Sequence, residues 1–164
     1  MRFKRVLITG GCGFLGQYLT WDLLNEFPSL KIKILDLRPN PNRIFDFSGQ
    51  HNVETITGKD ICNYDSIVGE FADIDLVIHL AGVVSFSLKD RDLLEKVNVH
   101  GTTNVLKATI ANNIDRLIHI SSVAALGYAD DEKNPVDETF RFDWNIAQRR
   151  RKYYMLTKHL ADLE

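Results

Sequence analysis

Cysteine is scarce in this chain, with only Cys12 and Cys62 among 164 residues. Two thiols far apart in sequence make no disulfide framework, and they offer no zinc-ligand spacing. The five histidines (His51, His79, His100, His119 and His159) add no H-x-x-x-H or H-E-x-x-H pattern, so no metal is expected. His79 and His119 fall at or near strand ends and read as structural. Charge of one sign is also lacking. The net charge of −2 gives no global basic field for nucleic acid or an anionic membrane. Trp21 and Trp144 form no aromatic platform interleaved with cations, which removes the other common signature of nucleic-acid binding. No apolar run is long enough to span a bilayer, since the longest, residues 76–86, contains His79. Arg2, Lys4 and Arg5 precede too short an apolar stretch for a signal peptide. Repeats and low-complexity tracts are absent. What remains is ordinary globular composition, 45% apolar and 26% charged, at a length that fits one domain over residues 1–164. The expected compartment is cytoplasmic.

The most informative stretch is Thr9-Gly10-Gly11-Cys12-Gly13-Phe14-Leu15-Gly16. It follows the apolar run Val6-Leu7-Ile8 and precedes an amphipathic segment. Strand, glycine turn and helix in that order are what a dinucleotide-binding loop requires. Glycines let the backbone approach a pyrophosphate, and the helix turns its N–H groups and positive dipole end toward that charge. Gly11, Gly13 and Gly16 spell G-x-G-x-x-G, and Gly10, Gly13 and Gly16 spell G-x-x-G-x-x-G. Asp36 closes the second apolar run, where a carboxylate accepts hydrogen bonds from a ribose 2′-OH and repels a 2′-phosphate. NAD is therefore favoured over NADP, with Arg38 keeping NADP open. The alternative is a tight strand–helix turn without a ligand.

Apolar, β-branched runs recur at 6–8, 32–35, 53–56, 76–78 and 117–120, mostly without polar alternation, as in strands covered on both faces. Helical spacing alternates with them. Residues 15–27 carry a stripe of Leu15, Leu19 and Leu23, and 64–71 form a shorter helix. Residues 90–112 place Leu94, Val97, Gly101, Val105 and Ala108 on one face. The expected fold is α/β, a Rossmann-type doubly wound parallel sheet with strand order 3-2-1-4-5. Residues 38–52, with Pro39 and Pro41, and residues 127–145, acidic at Asp130, Asp131 and Glu132, read as long loops that serve or cover a site. Residues 149–164 read as a helix beginning in Arg149-Arg150-Arg151-Lys152. These four cations oppose the dipole at a helix start. They read as a solvated face beside the acidic loop, or as a holder of an anionic substrate or partner. A sheet of this type normally continues past such a helix, so the chain is expected to be the N-terminal part of a longer protein. The strand at 117–120 then stands at an edge.

Tyr154 and Lys158 lie four apart, on one helix face. A free tyrosine titrates near ~10, and a nearby ammonium with an oxidised nicotinamide favours a phenolate able to exchange protons with an alcohol or carbonyl oxygen. Taken alone, this spacing is more often a plain surface pair. Ser121-Ser122 fall at the C-terminal end of the fifth strand, the edge where ligands gather in open α/β sheets. Serines there are otherwise turn residues.

Together these features resemble the extended branch of the short-chain dehydrogenase/reductase superfamily, over essentially the whole chain. The resemblance rests on the glycine loop, Asp36, Asp60-Ile61, His79-Leu80-Ala81-Gly82, Asn98-Val99-His100-Gly101-Thr102, Ser121-Ser122, and Tyr154 with Lys158. It is strongest to members of the 3β-hydroxysteroid dehydrogenase/dihydroflavonol reductase type, with nucleotide-sugar epimerases and dehydratases as near relatives. It implies an NAD-dependent oxidoreductase acting on a small-molecule secondary alcohol or ketone. Gly10, Gly13, Phe14, Leu15 and Gly16 would wrap the pyrophosphate, and Asp36 with Arg38 would meet the adenosine ribose. Asp60 and Ile61 would flank the adenine. Leu80, Ala81 and Gly82 would line the cofactor trench, supported by Asn98. Ser122, five residues before Gly127, matches the catalytic serine. Tyr154 matches the catalytic tyrosine, and Lys158 the lysine that assists it and binds the nicotinamide ribose. Related proteins pair through helices corresponding to 90–112 and 149–164, so a homodimer is the implied assembly. Substrate contacts in such members come mainly from a C-terminal region, so a non-catalytic NAD-binding module is the competing expectation.

Overall fold

The computed structural model describes residues 2–39, 42–127 and 136–164. Pro41 and the acidic Asp130, Asp131 and Glu132 lie outside the described residues. Contacts divide the chain into two compact units, Met1–Ala81 with Asn104–Ile120, and Gly82–Thr103 with Ser121–Glu164.

The first unit is a five-stranded parallel sheet in the order β3-β2-β1-β4-β5. Its strands are β1 (Arg5–Thr9), β2 (Lys31–Leu35), β3 (Val53–Ile56), β4 (Leu76–His79) and β5 (Arg116–His119). The expected order and parallel pairing therefore hold. Val6, Leu7 and Ile8 of the central β1 are fully buried between β2 and β4. Each such side chain contributes about 1.5–3 kcal/mol by leaving water. The outer strands β3 and β5 carry polar or exposed positions, so cover on both faces is a property of the middle of the sheet only.

Helix α1 (Phe14–Glu26) packs Leu19 and Leu23 on the core of Val6, Ile8, Ile32 and Ile34. Leu15, expected to head that stripe, is half-exposed. The first turn buries Gly16 and Gln17 instead, because its inner face lies against the glycine loop rather than the apolar core. The expected helix at 64–71 is one turn of α-helix, α2 (Tyr64–Ile67), followed by a 3-10 turn (Val68–Phe71) that buries Ile67 and Phe71.

Residues 91–111 are helical but not uniformly α. A turn of α3 (Arg91–Leu94) passes into a π-helical segment (Glu95–Gly101) and then α4 (Thr102–Ala111). The wider turn shifts the helical phase, so Asn98 and Val99 are buried while Val97 is only half-buried. Such π turns concentrate at functional sites. Asn113, at φ +54°, ends α4 by turning its neighbours' N–H groups back onto the last carbonyls.

In the second unit, a 3-10 turn (Val123–Leu126) packs against α6 (Tyr153–Asp162). The helix expected over 149–164 begins later, at Tyr153, and a separate helix ends where it was expected to start. Helix α5 (Trp144–Arg149) starts at Asp143, whose carboxylate accepts the Ile146 N–H, and it ends at Arg149. Arg151 sits at φ +51°, and the Lys152 N–H reaches back to the Ala147 carbonyl at 2.9 Å. This is the helix-ending turn that glycine usually makes. The cationic run thus connects two helices. Arg149 and Arg150 stand at the C-terminal end of α5, where the dipole favours positive charge.

Candidate functional site

In the sheet unit, the glycine loop leaves β1 through Gly10, whose φ of +70° lies in the left-handed region. A Cβ there would come within 2.6 Å of the Ala81 backbone, so the strand-end turns after β1 and β4 touch only because the residue is glycine. A Cβ on Gly16 would lie 2.5 Å from the Gly11 Cα, so glycine also sets how closely α1 approaches the loop. A Cβ on Gly11 would meet the Ile34 side chain at 2.8 Å, and one on Gly13 the Gly10 carbonyl at 3.2 Å, so all four glycines sit in close quarters. Gly13 is the N-cap of α1 and supplies no capping side chain. The first N–H groups of a helix have no partner inside it, so those of Phe14, Leu15 and Gly16 face an acceptor from outside.

Asp36 belongs to the same loop system. One carboxylate oxygen accepts the Cys12 N–H at 3.0 Å, and the other accepts the Arg38 N–H at 3.3 Å. The Arg38 side chain itself is exposed. Asp60 caps its own turn by accepting from the Cys62 N–H, and the Ile61 carbonyl is held by the Asn104 amide at 2.9 Å. Leu80 continues the β1–β4 pairing, donating its N–H to the Thr9 carbonyl at 3.0 Å. His79 is fully buried with Nδ1 at 2.6 Å from the Thr9 hydroxyl, which fits a structural role.

In the second unit, Asn98 is buried and bridges two segments. Its Oδ1 accepts the Val83 N–H at 2.8 Å, and its Nδ2 donates to the Val83 carbonyl at 3.0 Å and to the Thr157 hydroxyl at 3.3 Å. The same Oδ1 lies 3.3 Å from where a Gly82 Cβ would stand. Asn98 thus ties the segment after Gly82 to α6.

Tyr154 and Lys158 are one turn apart on α6. The Tyr154 ring meets Phe86 edge-on at 5.8 Å, and Lys158 is only 7% exposed. Burial pushes the Lys158 ammonium below the usual lysine range, and the Asp162 carboxylate partly offsets this. Asp162 also accepts the Ser121 hydroxyl at 2.6 Å. Ser122 caps the 3-10 turn that packs on α6, its Oγ accepting the Ala124 N–H at 3.2 Å. His159 stacks on Phe142 at 3.9 Å and bonds the Ala125 carbonyl at 3.0 Å, which fastens that turn further. A cavity of about 240 Å³ opens beside Tyr154, walled by Phe86, Ser87, Arg151, Lys152 and Met155 among others.

Each unit therefore holds its own set. One groups the glycine loop, Leu80, Ala81, Asp36 and Arg38, with Asp60 and Ile61 at a separate turn. The other groups Gly82 with Asn98, and Ser122 with the helix bearing Tyr154 and Lys158. Two residues had no sequence signal. Gln17, buried in α1, donates to the Cys12 carbonyl and accepts the Ile44 N–H at 2.7 Å, fastening the 36–52 connection to the glycine loop. Thr157 is the partner that joins Asn98 to α6. Among the described residues, no helix is long and apolar enough to cross a membrane.

Comparison with known proteins places this arrangement. The family model described as 3-beta hydroxysteroid dehydrogenase/isomerase matches residues 7–163. The 3 beta-hydroxysteroid dehydrogenase type 7 of Rattus norvegicus is 31% identical over 152 residues, covering 87% of this chain and 45% of that protein. Vestitone reductase of Medicago sativa is 27% identical, covering 96% of this chain and 51% of that protein. A short-chain dehydrogenase/reductase superfamily protein of Agrobacterium tumefaciens, solved with bound NAD, superposes with a TM-score of 0.76 at 25% identity. That match covers 96% of this chain and 43% of the solved one. The chain spans about half the length of the relatives it matches.

Proposed function

The chain belongs to the 3-beta hydroxysteroid dehydrogenase/isomerase family, and from that premise we propose that it forms the cofactor and proton-transfer part of an NAD-dependent oxidoreductase. Its substrate is a secondary alcohol or the corresponding ketone. The observation that carries the reading is Tyr154, on a cavity wall, one helical turn from a buried lysine.

The residues fit a dinucleotide. The N-terminal N–H groups of α1, left without a side-chain cap by Gly13, suit a pyrophosphate, and the turns that Gly10 and Gly16 permit keep those groups accessible. Asp36 suits a ribose diol and disfavours a 2′-phosphate, which selects NAD. Asp60 and Ile61 flank the adenine, Leu80, Ala81 and Gly82 line the trench, and Lys158 holds the nicotinamide ribose. When bound, NAD supplies the hydride acceptor at the carbinol carbon.

The chain's own residues handle the proton. Tyr154 takes it from the substrate hydroxyl during oxidation and returns it during reduction. The Lys158 ammonium stabilises the phenolate that accepts the proton in oxidation and is left behind when the proton is given up in reduction. Ser122, whose oxygen already accepts from the Ala124 N–H, donates its hydroxyl to the substrate oxygen and fixes its direction. Asn98 keeps α6 and the Gly82 segment in register.

A substrate labelled with deuterium at the carbinol carbon tests this reading in the whole protein. Recovery of the label in the reduced cofactor is expected. Its release into water would contradict hydride transfer.

A further inference from the structure

We infer that the substrate carries an oxyanion close to its reacting carbon, gripped by the turn Arg150-Arg151-Lys152. This rests on the proposed reading of Tyr154 as the proton-transfer residue, and it adds the substrate class. Four consecutive cations in sequence read as a solvated helix start, but the structure makes three of them part of a cavity wall. Arg150, Arg151 and Lys152 line the same 240 Å³ space as Tyr154, together with Ser87 and with Ser85, whose hydroxyl donates to Asp90 at 2.6 Å. Among the described residues no carboxylate lines that space.

The turn is held in shape. Arg151 has φ +51°, a conformation that is unfavourable for a non-glycine residue, and the Lys152 N–H bond to Ala147 keeps it there. Next along the chain, the Tyr153 ring carries the Arg91 guanidinium 5.2 Å from its centroid, a further cation beside the wall. Guanidinium and ammonium groups with a serine hydroxyl, here that of Ser87, are what a carboxylate or phosphate group takes, through charge-assisted hydrogen bonds. The remaining wall is apolar, since Phe86 meets the Tyr154 ring edge-on and Met155 lies beside it. An apolar body with an adjacent anion engages both surfaces, whereas a neutral polycyclic alcohol engages only the apolar one.

Three matched probes separate these possibilities in calorimetric titrations of the full chain: mandelate, α-hydroxybenzylphosphonate and the neutral mandelamide. At least one anion is expected to bind about tenfold or more tightly than the amide, with a preference that weakens as salt rises. The tighter anion identifies the source as a planar carboxylate or a tetrahedral oxyanion. R151Q/K152Q should abolish the preference, and Arg151→Lys, which keeps the charge, should retain most of it while showing that the turn still folds. Tyr154→Phe should leave the preference in place. Amide binding as tight as either anion, no binding of either anion, or a preference that survives R151Q/K152Q would overturn the inference. A separate NADH titration keeps the two readings apart. Anion preference without NADH binding sinks the oxidoreductase reading, and NADH binding without anion preference sinks this one.

Discussion

Tyr154→Phe is expected to lower turnover of the whole protein by roughly a thousandfold, inside the ~10²–10⁴ range that a positioned acid–base group supplies. Cofactor affinity and thermal stability should stay near normal. The substitution removes one oxygen and leaves the ring, so the edge contact with Phe86 survives. The Thr157 hydroxyl bonds the Tyr154 backbone carbonyl, so that contact survives as well. The helix should therefore fold unchanged around a site that can no longer exchange the proton. Steady-state kinetics beside a thermal melt checks both halves. A loss smaller than about tenfold would remove Tyr154 from the role assigned to it.

Gly10→Ala should act in the opposite way, on the scaffold first. The new methyl meets the Ala81 backbone at 2.6 Å at a residue held at φ +70°. Backbone atoms cannot rotate away as a side chain can. Strain and overpacking together should cost about 2–5 kcal/mol, a large share of the ~5–15 kcal/mol that holds a domain together. Dinucleotide binding should fall with it, because the displaced turn carries the N–H groups at the start of α1. Gly58→Ala is the matched control: its φ is +80°, but its Cβ would meet open space. That variant should pay only the left-handed backbone cost, roughly 1–2 kcal/mol. Chemical denaturation of the two variants side by side makes the comparison, and equal stability would show that the approach to Ala81 is not what demands glycine.

The parts of the molecule legible in its sequence share a physical character. The β-branched runs of β1, β2 and β4 have one stable destination, the middle of a parallel sheet, and that is where the structure places them. The glycine loop and Asp36 are legible because backbone approach and carboxylate position are written in residue type. Tyr154 and Lys158 are legible because helical spacing is short-range, and the family resemblance supplied their roles.

The missed features depend on information that residue type does not carry. The break between α5 and α6 is made by Arg151 in a conformation that glycine usually signals, so the cationic run looked like the start of one helix. The π-helical turn inserts a phase shift without any marker residue, which moved Asn98 inward where α-spacing favoured Val97. Gln17 has the composition of an exposed helical residue, yet it is buried because two backbone segments supply partners for its amide. Asn98 and Gln17 find partners far along the chain, in Thr157 and Ile44, whereas the Arg151 turn closes locally on Ala147.

The central claim, that the glycine loop and Asp36 hold NAD, is tested most directly by calorimetric titration of this chain with NADH and then NADPH. The account predicts saturable NADH binding, with NADPH weaker by about tenfold or more, a difference of about 1.4 kcal/mol. Equal affinity for the two cofactors, or binding of neither, would contradict it.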